Sequence, residues 1–177
     1  EWWEGLDDVT LITRPRRFGK TLTISMVEQF FSVRSAKGAE LFRGLKIWDE
    51  VKFRELQGTY PVISLSFASI KESNFEHTKK KLSLLITNLY SSYEFLLDSG
   101  RITQKEKQFF NSVSMDMDCV IASMALLQLS GMLYKYYEKK VIILIDEYDT
   151  PMQEAYLYGY WDETMQLMRS LFNAAFK

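Results

Sequence analysis

The chain has 177 residues, 47% hydrophobic and 25% charged, with a formal net charge of −1. This is ordinary globular composition, enough for one domain with a real core, and it carries no global bias toward nucleic acid. A single cysteine, Cys119, excludes an internal disulfide and fits a reducing cytoplasm. There is no uninterrupted apolar run of the length a membrane span needs and no signal peptide, so no membrane span is predicted. No internal repeat or low-complexity stretch is visible.

In chain order, Val9, Thr10, Leu11 and Ile12 form a short β-prone run. Residues 14–21 then read Arg-Pro-Arg-Arg-Phe-Gly-Lys-Thr. The end of that string matches a phosphate-cradling loop, G-x-x-x-x-G-K-[ST]. Arg14 stands where the first glycine is expected, so the match is partial. Each matched residue has a physical task. Gly19 lets the backbone approach phosphate in conformations other residues avoid. Lys20 would place a point charge on the β/γ-phosphates, and Thr21 would offer a hydroxyl to Mg²⁺. Arg16 and Arg17 could add phosphate contacts or be simply solvated. Leu22, Met26 and Phe30, with Val27 and Phe31 beside them, predict one apolar stripe of a helix. Strand, loop and helix in that order put a phosphate at a helix N-terminus. The bland alternative is a basic turn that merely starts a helix.

Residues 60–67 read as a second strand. Ser73 and Glu76 are spaced as a capping box, opening a long helix with Leu82, Leu85, Ile86, Leu89, Tyr93 and Leu96 on one side, stopped near Gly100. His77 reads as a surface helix residue. Lys79, Lys80 and Lys81 read as a solvated helix face rather than a nucleic-acid contact. Thr103 and Glu106 form a second capping box before a short helix. Residues 116–138 read as a further helix with Val120, Met124, Leu127 and Leu133 inward and Cys119 in the core. Tyr134, Tyr136 and Tyr137 read as helix–sheet packing.

Residues 141–145, Val-Ile-Ile-Leu-Ile, read as a strand buried on both faces of a parallel sheet. The run ends in Asp146 and Glu147, with Asp149 two residues on and Pro151 stopping the segment. Two carboxylates at such a strand mouth are costly unless paired, hydrated or bound to metal, and in open α/β sheets that mouth is where ligands bind. Asp146 would hold Mg²⁺, and Glu147 would polarise an attacking water. The alternative is a surface acidic turn after a core strand. A final helix is expected over about 163–176, with Met168, Leu171, Phe172 and Ala175. The alternation of strands and helices predicts an α/β fold with a parallel sheet and helices on its faces. The helical stretch 70–140 would be a packed crossover or a small cap.

Residues 14–21, with Leu-Phe-Arg-Gly-Leu-Lys-Ile at 41–47, the strand at 60–67, and Leu-Ile-Asp-Glu-Tyr-Asp at 144–149 followed by Pro151, resemble the bacterial AAA-ATPase-like family. The resemblance covers essentially the whole chain. That family also has arginine at the first loop position. Many of its members carry a PD-(D/E)XK nuclease-like domain at the C-terminus, and they continue past the last helix here. Residues 1–177 therefore resemble a single, incomplete P-loop ATPase domain, with a helical insertion at about 70–140.

The expectation is a three-layer α/β P-loop core that binds ATP and Mg²⁺ and hydrolyses the γ-phosphate. Arg16, Arg17, Phe18, Gly19, Lys20, Thr21 and Leu22 would bind nucleotide. Lys20 and Glu147 would be catalytic, and Thr21 and Asp146 would hold the metal. A glutamate directly after the strand aspartate favours water activation over the alternative of a P-loop kinase with a small acceptor. A third reading is a nucleotide-gated regulatory module with little turnover. A homo-oligomer is compatible with all three; nucleic acid is unsupported by the net charge.

Overall fold

The structure, a computed structural model, describes residues 9–13 and 18–175. Two apolar, largely β-branched runs form its sheet: β1, Val62–Ser66, and β2, Ile142–Asp146. They pair in parallel, with Val62 opposite Ile142 and Ser66 opposite Asp146. Side chains alternate along a strand, so the pairing defines two faces. Val62, Ile142 and Leu144 pack with Phe30, Phe31 and Phe42 in one apolar cluster. Ile63, Leu65, Ile143 and Ile145 belong to a second, larger cluster. The described residues thus form a mixed α/β fold with apolar packing on both sides of a two-stranded parallel sheet. The expected sheet position and direction hold, with the second strand starting and ending one residue later than 141–145.

Helix α1, Lys20–Phe31, covers the first face. Its end is tied to the entrance of β1: Tyr60 N donates to Phe31 O at 2.9 Å, Gly58 N to Phe30 O at 2.8 Å and Val33 N to Tyr60 O at 2.9 Å. Gly58 has φ +66, and a Cβ there would lie 2.4 Å from Ala36 Cα, so the close backbone approach requires glycine. Ala36 belongs to the 3₁₀ segment Val33–Phe42, which is followed by the one-turn helices α2, Lys46–Asp49, and α3, Val51–Arg54. The predicted α1 stripe is only half realised. Phe30 and Phe31 are buried and Val27 packs beside them, while Leu22 and Met26 are exposed.

A parallel pair needs a long crossover, and here it contains α4, Phe75–Ser91, α5, Phe95–Asp98, α6, Gln104–Ser112, and α7, Cys119–Tyr137. These helices, with α9, Trp161–Ala175, build the larger cluster over Ile63 and Leu65. Leu82 and Ile86 of α4 and Leu126, Leu129 and Leu133 of α7 are buried there. The Thr103–Glu106 capping box is present as expected. The helix cap expected at Ser73 is instead Asn74, whose side chain accepts from His77 N at 2.9 Å. The long helix breaks at Ser92 and resumes at Phe95. The break lets the Tyr93 hydroxyl reach Val62 O at 2.7 Å.

Three further expectations are corrected. Val9, Leu11 and Ile12 are exposed and join neither strand. β-prone residues form a strand only where an edge and a packing surface receive them, and neither does so here. On α7, Val120, Leu127 and Tyr134 face solvent, Cys119 is exposed, and Ala122, Ala125, Leu126, Leu129, Met132 and Leu133 are buried. An almost uniformly apolar helix gives periodicity little contrast with which to choose its inner face. Pro151 does not stop the chain but lies in the first turn of a helix, α8, Thr150–Tyr158. There its missing N–H costs nothing. Among the described residues only α7 is long and apolar enough to cross a membrane, and six of its side chains are core.

Candidate nucleotide site

The N-terminus of α1 is built to leave donors unpaired. Gly19, its N-cap, takes φ 71 and ψ 26, and no side chain caps the helix. Thr23 N and Thr23 Oγ1 both donate to Gly19 O at 2.9 Å, which closes the first turn. The N–H groups ahead of Thr23 have no intrahelical acceptor. The first turn holds no acidic residue, so nothing there opposes an anion at the positive end of the helix dipole. Lys20 is half-buried, and Phe18, Thr21 and Leu22 are exposed. Arg16 and Arg17, with Arg14, lie outside the described residues.

At the end of β2, Asp146 is buried at 8% exposure. Its backbone oxygen accepts from Phe67 N at 3.0 Å and its Oδ1 from Glu147 N at 3.0 Å. These bonds fix the carboxylate on a rigid strand end. Among the described residues nothing donates to its second oxygen. Glu147 is exposed and holds φ 51, a left-handed conformation unusual for a residue with a Cβ. Thr150 N caps the turn by donating to Glu147 O at 3.0 Å, and Thr150 Oγ1 lies 3.3 Å from Glu147 Oε2. Asp149 is occupied with Gln153, whose Nε2 donates to it at 2.7 Å.

The two halves are related through the sheet. The alternation that turns Ile142 and Leu144 toward α1 places Asp146 on that same face. The end of α1 is pinned at the start of β1. A helix of 12 residues spans about 18 Å, and a strand of five residues about 16 Å. A helix of that length, if it ran back along the strands, would begin near their C-terminal ends. No hydrogen bond or ion pair among the described residues joins Lys20 or Thr21 to Asp146 or Glu147.

Sequence reading missed Ser66, which stands opposite Asp146 in the register and is exposed. Its signal was a polar residue at the end of an alternating strand. It also missed Thr150 as the partner of Glu147. A separate open cleft of about 340 Å³, lined by residues including Tyr90, Glu94, Asp98 and Phe110, shares no residue with this site.

A magnesium ion suits the donors present. No cluster of three or more His, Cys, Asp or Glu able to cage a metal occurs among the described residues. Magnesium needs no such cage, because it keeps waters and takes one or two protein oxygens beside substrate phosphates. Asp146, with a spare oxygen, and the exposed Thr21 hydroxyl fit that requirement.

A family model described as AAA-ATPase_like, predicted AAA-ATPase, matches residues 4–177 of the chain. No curated protein and no solved structure matches it.

Proposed function

As the chain belongs to the predicted AAA-ATPase family, we propose that it binds Mg-ATP between the start of α1 and the end of β2, in a three-layer P-loop core, and hydrolyses the γ-phosphate. One observation carries this reading. The helix that starts with an uncapped N-terminus and a left-handed glycine packs, through Val27, Phe30 and Phe31, on the sheet face that ends in a buried aspartate.

The N–H groups of the first turn of α1 bind phosphate oxygens, and the exposed conformation of Gly19 keeps any Cβ out of their way. Lys20 adds positive charge where negative charge builds on the transferring phosphoryl group. Thr21 and Asp146 would hold a magnesium ion, which would supply neutralising charge on the phosphates when bound. Glu147 is placed outside the strand by its left-handed turn and accepts a hydrogen bond from the attacking water, orienting its lone pair toward phosphorus. Arg16, Arg17, Phe18 and Leu22 complete the nucleotide contacts in this reading.

A nucleotide-gated module with little turnover is the second reading, kept open by Arg14 at the position where the loop pattern has its first glycine. The test is ATP turnover and ATP affinity in wild type and Glu147→Gln. Hydrolysis lost with binding retained supports the ATPase. Binding without turnover in wild type selects the module. Equal turnover in both proteins removes Glu147 from the chemistry.

A further inference from the structure

Strand β1 ends in an exposed polar residue that is held as firmly as a core residue. Ser66 is exposed, yet its neighbours Leu65 and Phe67, on the opposite face, are buried. Phe67 N donates to Asp146 O at 3.0 Å, which extends the ladder past Ser66, and the Phe67 ring meets Phe172 edge-on at 5.9 Å. Ser66 pairs with Asp146 in the parallel register. Paired residues on adjacent strands, about 4.8 Å apart, turn their side chains to the same side of the sheet. The Ser66 hydroxyl therefore stands beside the Asp146 carboxylate on the face that α1 covers. The two side chains are not hydrogen-bonded to each other. Ser66 Oγ accepts a long bond from Ala68 N at 3.4 Å, and its proton has no acceptor among the described residues. Asp146 Oδ1 accepts from Glu147 N, and its other oxygen has no donor among them. An open donor beside an open acceptor, without a direct bond, is an arrangement that a bridging water satisfies.

We infer that Ser66 is a positioning residue for the magnesium site, an inference that rests on the Mg-ATP reading above: its hydroxyl holds a water bound to the ion that Asp146 would ligate. Magnesium keeps several waters and takes one or two protein oxygens beside substrate phosphates. Thr21 and Asp146 already supply that number, so the remaining positions fall to phosphate oxygens and water. A hydroxyl oxygen has two lone pairs. The Ala68 N–H occupies one of them on Ser66, and the other is open to a metal-bound water. Groups that hydrogen-bond to the ligands of a metal fix their orientation, and losing one costs about 10- to 100-fold in metal affinity. A serine kept only as a polar strand end carries no such cost, because any residue suited to an exposed strand would serve in its place.

Ser66→Val and Ser66→Thr test this as a pair. The two introduced side chains have nearly the same shape and both suit a strand, so they differ in the hydroxyl alone. The measurement is the calorimetric affinity of a non-hydrolysable ATP analogue, once with Mg²⁺ and once in EDTA, on variants that match wild type by circular dichroism. The ratio of the two affinities reports the ion's contribution without any turnover. Ser66→Val should lose about tenfold or more of that ratio with its EDTA affinity unchanged, and Ser66→Thr should keep the wild-type ratio. Ser64→Val is the control. Ser64 lies on the same face but pairs with Leu144, not with a carboxylate, so its ratio should not change. Asp146→Asn, measured alongside, separates the inference from the reading beneath it. If Asp146→Asn loses the magnesium ratio and Ser66→Val keeps it, the role of Ser66 is overturned and the Mg-ATP reading stands. If Asp146→Asn keeps the ratio, that reading fails and the role of Ser66 falls with it. An equal loss in Mg²⁺ and EDTA for Ser66→Val would put the hydroxyl on the nucleotide itself, and a loss shared by Ser66→Thr would make it a matter of size. Either result would also overturn the inference.

Discussion

Glu147→Gly distinguishes a side chain kept for chemistry from one kept for structure. Glu147 holds φ 51, a conformation that costs an L-residue about 1–2 kcal/mol. Glycine removes that strain but frees the unfolded chain, which costs roughly 0.5–1 kcal/mol. The side-chain bond given up is the exposed 3.3 Å contact with the Thr150 hydroxyl, long for an O–H···O bond and close to neutral in water. The balance runs from about zero to +1.5 kcal/mol. For a chain of this size that corresponds to an unfolding midpoint unchanged or raised by up to about 5 °C. Glu138→Gly is the internal control. Glu138 closes α7 at φ 56 and is exposed, and its ion pair with Arg101 at 2.6 Å is a surface pair. Such pairs contribute about 0–1 kcal/mol, so this variant should also be near neutral. Thermal unfolding by circular dichroism and ATP turnover are measured on both. Glu147→Gly should keep or gain stability and lose turnover, while Glu138→Gly keeps both. A midpoint several degrees below wild type for Glu147→Gly would refute the reasoning, because it would make Glu147 a structural brace.

Gly58→Ala should be far more damaging than Gly19→Ala. Both glycines have positive φ, but a Cβ at Gly58 meets Ala36 Cα at 2.4 Å and one at Gly19 meets nothing within 4 Å; denaturant unfolding should give a loss above about 2 kcal/mol for the first and about 1 kcal/mol for the second. Burial raises the pKa of Glu106, but the Lys135 ammonium and the Thr103 N–H and hydroxyl outweigh it and hold the carboxyl below its ordinary value. A depressed folded pKa contributes stability that is present above the unfolded value and is lost as pH falls through the folded one. Unfolding measured from neutral to acid pH should therefore fall less steeply below the ordinary glutamate range in Glu106→Gln than in wild type. An identical acid limb would remove Glu106 from the acid response.

The sequence made the local chemistry legible and the packing less so. The strand at 142–146 announced itself by five consecutive apolar or strand-ending residues, and Thr103 with Glu106 announced a helix start, because both signals are local. The α1 boundary followed from Gly19, whose left-handed turn a helix N-cap can use. Val9, Leu11 and Ile12 misled because a strand needs a partner edge, which no short window reveals. Pro151 misled because proline both ends helices and starts them, and only the turn at Glu147 decides between the two. Val120 and Leu127 were assigned inward because an apolar helix offers two equivalent stripes. The core chose the arc through Leu126 and Leu129. At the site, the residue types were legible. Their common placement, with Asp146 on the α1 face of the sheet, required the strand register.

The central claim is that the start of α1 and the end of β2 serve one Mg-ATP. A double-mutant cycle on Mg-ATP affinity, with Lys20→Ala, Asp146→Asn and the pair measured by calorimetry on proteins shown to be folded, tests it most directly. Each single change should weaken Mg-ATP binding, and the pair should depart from additivity by about 1 kcal/mol or more, as expected for groups acting through one ligand. Additivity within about 0.3–0.5 kcal/mol, or affinity untouched by either change, would contradict the account.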